Sequence, residues 1–270
     1  MRKVSAKAAT KFETKQIARI RKWSARRPGF LARTTGRLTA PIVWTVRRIV
    51  PEEAVRKALH GNIVVARRWA RERATLRSLG AASFAELGGV ELLQVDRAVR
   101  KVQRRAVWLA ATVGVVSGFF GIFGLPIGIA LMLNLALRTI HRVGLCYGYA
   151  DAAEAERLFV YYALSLAGNR TPEEKSVSLD ALRELQPALA AADDDAIDHE
   201  RRQHAHGIAH HDFSREITKQ MVTVRILTAI PGIGAVVGLI VDTQYMSSVG
   251  WAARHAYQVR WLRERGRWPD

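Results

Sequence analysis

Residues 114–128 read GVVSGFFGIFGLPIG and lie inside an uncharged run from Ala106 to Leu137, flanked by Arg105 and Arg138. The run is too long for one ordinary core helix. It is too short for two full bilayer spans, which take about 20 apolar residues each. Gly118, Gly121 and Gly124, with Pro126, are expected to interrupt a helix near its middle, since glycine is a poor helix former and proline lacks the N–H. The stretch therefore reads as two helical arms, 106–120 and 126–147, folded as a hairpin. Arg97, Arg100, Lys101, Arg104 and Arg105 precede it, and Arg138 and Arg142 follow. Basic flanks stay on the cytoplasmic side of a bilayer, so a re-entrant wedge suits both ends where a single span does not. The competing reading is the buried centre of a soluble bundle. On the second arm, Asn134, Arg138, His141 and Arg142 form a polar stripe, expected opposite Leu131, Leu135 and Leu137.

A second apolar run, ILTAIPGIGAVVGLIV (226–241), has the same Gly and Pro content and basic flanks. Gly114/Gly118, Gly124/Gly128, Gly144/Gly148 and Gly234/Gly238 share the four-residue spacing that lets helix backbones approach closely. Elsewhere the punctuation is also helical. Residues 1–27 are expected to be helical up to Pro28-Gly29. Pro51-Glu52-Glu53 starts a helix that stops at Gly80, and Ser83 with Glu86 has capping-box spacing before a longer helix from about Val90. Thr171-Pro172-Glu173-Glu174 repeats the start signal, and a last long helix is expected over 234–263. No strand set shows period-two alternation. The expectation is an all-α, multi-helix bundle with two Gly/Pro-interrupted apolar hairpins. It is divided into a basic helical extension (1–75), a helical domain (76–262) and a short tail (263–270).

The 270 residues are 49% hydrophobic and 24% charged, with a mean hydropathy of −0.03, values of an ordinary globular chain. The net charge of +18 is unevenly placed, with +19 in residues 1–105 and −1 in the remainder. So concentrated a basic segment attracts phosphates of anionic lipid or of nucleic acid. Trp23, Trp44 and Trp69 interleave with that charge, as suits a headgroup layer. No nucleic-acid module is recognisable, which ranks lipid first. The single cysteine, Cys146, fits a reducing compartment, and the first thirty residues hold no secretory signal core. The expected location is the cytoplasmic face of the inner membrane.

Catalytic motifs are scarce. HERRQ begins like a zinc-protease motif, but Gln203 replaces the second histidine. Within DHERRQHAHGIAHHDF (198–213), His206 and His210 share a helix face at a spacing zinc sites use, with Asp212 or Asp198 as an oxygen ligand. The expectation is nonetheless a polar, solvent-facing helix with no cofactor, zinc being the alternative. GIGAVVG follows no strand, and neither a phosphate-binding P-loop nor a nucleophile elbow is present. Cys146 reads as a packing thiol. Asp242, closing the second apolar run, is a candidate ion-pair partner of Arg138.

GLPIGIALMLNLALRTIHRVGLCYGY (124–149) resembles a signature of the EcsC family, and IPGIGAVVGLIVDTQYMSSVGWAARHAYQVRW (230–261) resembles its second block. LGAASFAELGGVELLQVDRAVR fits the lead-in, so the resemblance covers residues 76–262. It implies a membrane-side protein accessory to a transport system, and it brings no agreed catalytic residues. The matching positions, Gly124, Pro126, Tyr147, Gly148, Pro231, Gly234, Gly238 and Tyr257, are packing and turn residues by type. The reading is thus a non-enzymatic, membrane-associated helical protein whose partners are anionic lipids and a membrane protein such as a transporter. A metal-dependent hydrolase on the histidine cluster and a soluble nucleic-acid-binding protein are the alternatives.

Overall fold

Two helices start on the same reciprocal device. Thr10 accepts from the Glu13 N–H while the Glu13 carboxylate takes the Thr10 N–H at 2.7 Å, opening α1 (Lys11–Ser24). Thr171 and Glu174 repeat it ahead of α6 (Pro172–Glu184), with Pro172 in the first turn. The computed structural model describes residues 9–26, 72–81, 83–119, 121–149, 154–169, 171–187 and 234–269, and among these there is no strand. The remaining helices are α2 (Glu72–Leu79), α3 (Leu92–Phe119), α4 (Gly121–Cys146), α5 (Glu154–Gly168) and α7 (Gly234–Glu264). The protein is an all-α, multi-helix bundle.

Helix ends follow the glycines that the sequence marks. Gly80 stops α2 at φ +71°, where the Ala81 N–H reaches back to the Leu76 carbonyl at 3.1 Å. Ser83 does not cap as its spacing suggests. Residues Phe84–Gly89 form a 3-10 turn, and the Ser83 backbone carbonyl takes the Glu86 N–H that the hydroxyl was expected to hold. The hairpin break is also sharper than expected. α3 runs to Phe119 and α4 starts at Gly121, so Pro126 sits in the second turn of a helix rather than at the bend. Beyond the first turn, its missing N–H costs one intrahelical bond.

α7 is the spine. It runs antiparallel to α3, with Asp96 meeting Gln258, Gln103 meeting Gly250, and Gly114 meeting Gly238. A Cβ at either Gly114 or Gly238 would collide with the backbone carbonyl of the other, so this crossing needs glycine on both helices. α4 and α5 flank α7 and enclose Leu133, Leu137, Ile140, Phe159, Val249 and Ala253 in one core. Leu131 departs from its expected place: it is 49% exposed. Seven residues are two helical turns, which sets it on the face of Arg138 rather than opposite. From the basic extension, α1 packs into the bundle. Ile17 and Ile20 are buried, each contributing about 1.5–3 kcal/mol. The Lys175 ammonium of α6 donates to the Trp23 and Arg26 carbonyls at the C-terminus of α1.

Candidate functional site

α3 changes character along its length. Its first half presents Arg97, Arg100, Lys101 and Arg104 outward, and its second half presents Trp108, Leu109, Val115, Val116 and Phe119. Phe119 is 80% exposed and Trp108 76%. Ile127 and Leu131 of α4 are exposed beside them, since the two helices join there. The α3–α7 register adds exposed Val236 and Ile240 to the same end. Of the other large apolar residues exposed among the described ones, Trp251 lies further along α7 and Val177 on α6. So much apolar surface at one end of a bundle marks a contact surface.

Next to it, a cleft of about 850 Å³ opens between α1, α3 and α7. Arg19, Arg97, Arg100, Lys101, Arg104 and Arg254 line it with Trp108, Trp251, Gln103, Val107 and Ser247, and among the described residues no carboxylate does. Its wall is fixed from behind by Asp96, which is fully buried. Asp96 pairs with Arg254 at 2.5 Å and Arg100 at 2.6 Å and accepts from Gln258 at 3.1 Å. A buried carboxylate persists only with such partners. Arg254 also donates to Gln16 of α1 at 3.3 Å, so one guanidinium joins three helices. His255, next in sequence, lies between the rings of Trp23 and Trp251. Burial, then the Arg254 charge, lowers its pKa to about 3, which keeps the imidazole neutral.

A second buried network closes the opposite end. Glu156 takes Arg260 Nη1 at 2.7 Å and the Tyr257 hydroxyl at 3.2 Å, and Arg260 stacks over the Tyr149 ring at 3.7 Å. The family-like positions Tyr147 and Tyr257 stack here, with ring centroids 6.1 Å apart. Gly148 turns the chain beside them at φ +89°, with Tyr149 N–H bonded to the Gly144 carbonyl at 3.0 Å. Gly124 and Pro126 fall in the first two turns of α4, Gly234 opens α7, and Gly238 meets Gly114. Asp242 is buried in α7 and Arg138 half-buried in α4. Pro231, His206, His210 and Asp212 lie outside the described residues, among which no group of three or more His, Cys, Asp or Glu side chains is placed to hold a metal. Burial pushes the Cys146 thiol up to about 12, against the pull of Arg142, so it stays protonated.

Sequence reasoning missed Asp96, Glu156, Arg254 and Arg260, the charged residues that organise the interior. A signal was present: Asp96 shares a helix face with Leu92 and Val99, and Glu156 with Phe159 and Val160, where apolar residues are the rule.

A family model described as the EcsC protein family matches residues 14–262, taking in α1 and starting well before residue 76. Protein EcsC of Bacillus subtilis (strain 168) is 24% identical over 156 residues, which are 58% of this chain and 59% of that protein. The chain thus aligns with somewhat under two thirds of that relative. No solved structure matches the chain. With the family model covering nearly the whole bundle, the chain belongs to the EcsC protein family.

Proposed function

We propose that this protein is a non-enzymatic helical module that docks on the cytoplasmic face of the inner membrane, with the apolar end of the α3–α4 hairpin entering the headgroup layer. The observation that carries the reading is the change along α3 from an arginine-lined half to an exposed apolar half, with Trp108 at the junction. That order matches a bilayer surface, where acyl chains, an aromatic belt and anionic phosphates follow one another outward. Ile127–Cys146 is long and apolar enough to cross a membrane, but 61% of its apolar window is buried inside the bundle. That supports shallow entry of the hairpin end over a full span. We propose further that its protein partner on that membrane is a transport system, as the family resemblance implies.

The test is a polarity-sensitive probe on single cysteines at positions 116, 119 and 177, in a Cys146→Ala background. Anionic vesicles are expected to shift the probe to an apolar signal at 116 and 119. The signal at 177, equally apolar and exposed but on α6, is expected to stay unchanged. Three unchanged signals would sink the membrane reading.

A further inference from the structure

We propose that the cleft between α1, α3 and α7 is a headgroup site for an anionic lipid carrying two phosphates. The proposal rests on the membrane reading above and adds a defined recognition site to it. Six cations line the cleft, and Asp96 behind it offsets one charge, leaving a surplus of five. Arg19, Arg97, Lys101 and Arg104 make no ion pair among the described residues. Among the described residues, their charge therefore faces the cleft uncompensated by carboxylates. A single phosphate would neutralise only part of it. Two phosphates joined by a short polyol neutralise more of it than one does, and they fit within a volume of about 850 Å³.

Arg254 supplies the second, independent sign of a ligand. It is 2% exposed, and its Nη2 is committed to Asp96 and Gln16, yet its buried Nε has no hydrogen-bond partner. A buried donor left unpaired is costly, and Arg254 itself lines the cleft where a phosphate would sit. The occupant is a lipid, rather than a soluble phosphate ester, because of where the cleft lies. Trp108 belongs both to its lining and to the apolar end, and Phe119 is eleven residues further along α3, about 16 Å by helical rise. A headgroup seated among the arginines thus has its acyl chains beside the exposed valines and phenylalanine.

The test compares flotation of the full chain with three vesicle types. One is neutral phosphatidylcholine, one holds phosphatidylglycerol, and one holds cardiolipin at the same total phosphate charge. The wild-type chain is expected to bind the cardiolipin vesicles about tenfold more tightly than the phosphatidylglycerol ones, as one to two additional charge-assisted hydrogen bonds imply. The double variant Arg97→Gln/Arg104→Gln is expected to lose that preference while still binding anionic vesicles. Lys15→Gln/Arg183→Gln, with the same charge loss on exposed residues outside the cleft, is expected to keep it. Equal binding to both anionic vesicles by the wild-type chain, or a preference unaffected by the cleft variant, overturns the site and leaves the membrane reading standing. Failure to bind any vesicle, with a soluble bisphosphate headgroup still bound through Arg97 and Arg104, overturns both.

Discussion

Glycine at 238 does something that no other residue can do there. A methyl group in its place meets the Gly114 carbonyl, which belongs to a helix backbone and cannot swing aside. Alanine's better helix propensity returns at most about 1 kcal/mol, while overpacking costs about 1–3, so Gly238→Ala is expected to lower the melting temperature. Gly250→Ala is the control, because its methyl meets a side chain, Gln103, rather than backbone, and it is expected to lower the melting temperature less. The four-residue glycine spacing was legible in the sequence. Which glycine faces which was not, because that depends on the register between two helices more than a hundred residues apart. His255 gives a second residue-scale expectation. Its pKa is about 3 when folded and about 6.5 when free, so between those values the unfolded chain takes up a proton that the folded chain refuses. Stability is therefore complete above pH 6.5 and falls as the pH drops below it, by about 2 kcal/mol at pH 5. Urea titrations at pH 7.5 and 5.0 are expected to show this loss, and His255→Gln is expected to reduce it. An identical pH dependence in the two proteins would contradict it.

At the scale of elements, starts and stops read well where a side chain decides them locally. Thr171 and Gly80 do what their types predict. The 3-10 turn at 84–89 did not read, because packing settles it: Leu87 is buried at 1% exposure. Gly148 tests the local side of this. At φ +89° an alanine is strained whatever space surrounds it, so Gly148→Ala is expected to cost about 1–2 kcal/mol in urea midpoint measurements. Gly89→Ala, at a position with no such φ and open space around it, is expected to leave the midpoint within about 0.5 kcal/mol.

For the whole molecule, the sequence showed that charge gathers in the first 105 residues but not that it would line one cleft. Arg19 reaches that cleft from α1, across more than seventy residues of chain from Arg97, and only tertiary packing makes them neighbours. Binding to anionic vesicles is accordingly expected to weaken steeply between 50 and 500 mM salt, as the Debye length shrinks from roughly 14 Å to 4 Å. Binding insensitive to salt would place the affinity in the apolar end instead. The docking of α1 also has a consequence for how the protein is made. Glu13 pairs with Arg267, Gln16 with Arg254, and Arg21 donates to the Pro269 carbonyl, contacts spanning some 240 to 250 residues of chain. At about 5–20 residues per second, a ribosome takes on the order of 12–50 s to deliver those partners. For that interval the basic, amphipathic α1 is out of the exit tunnel with its carboxylate and glutamine unmatched. It is then the first of the described helices that nascent-chain chaperones or the membrane surface meet before the fold can claim it.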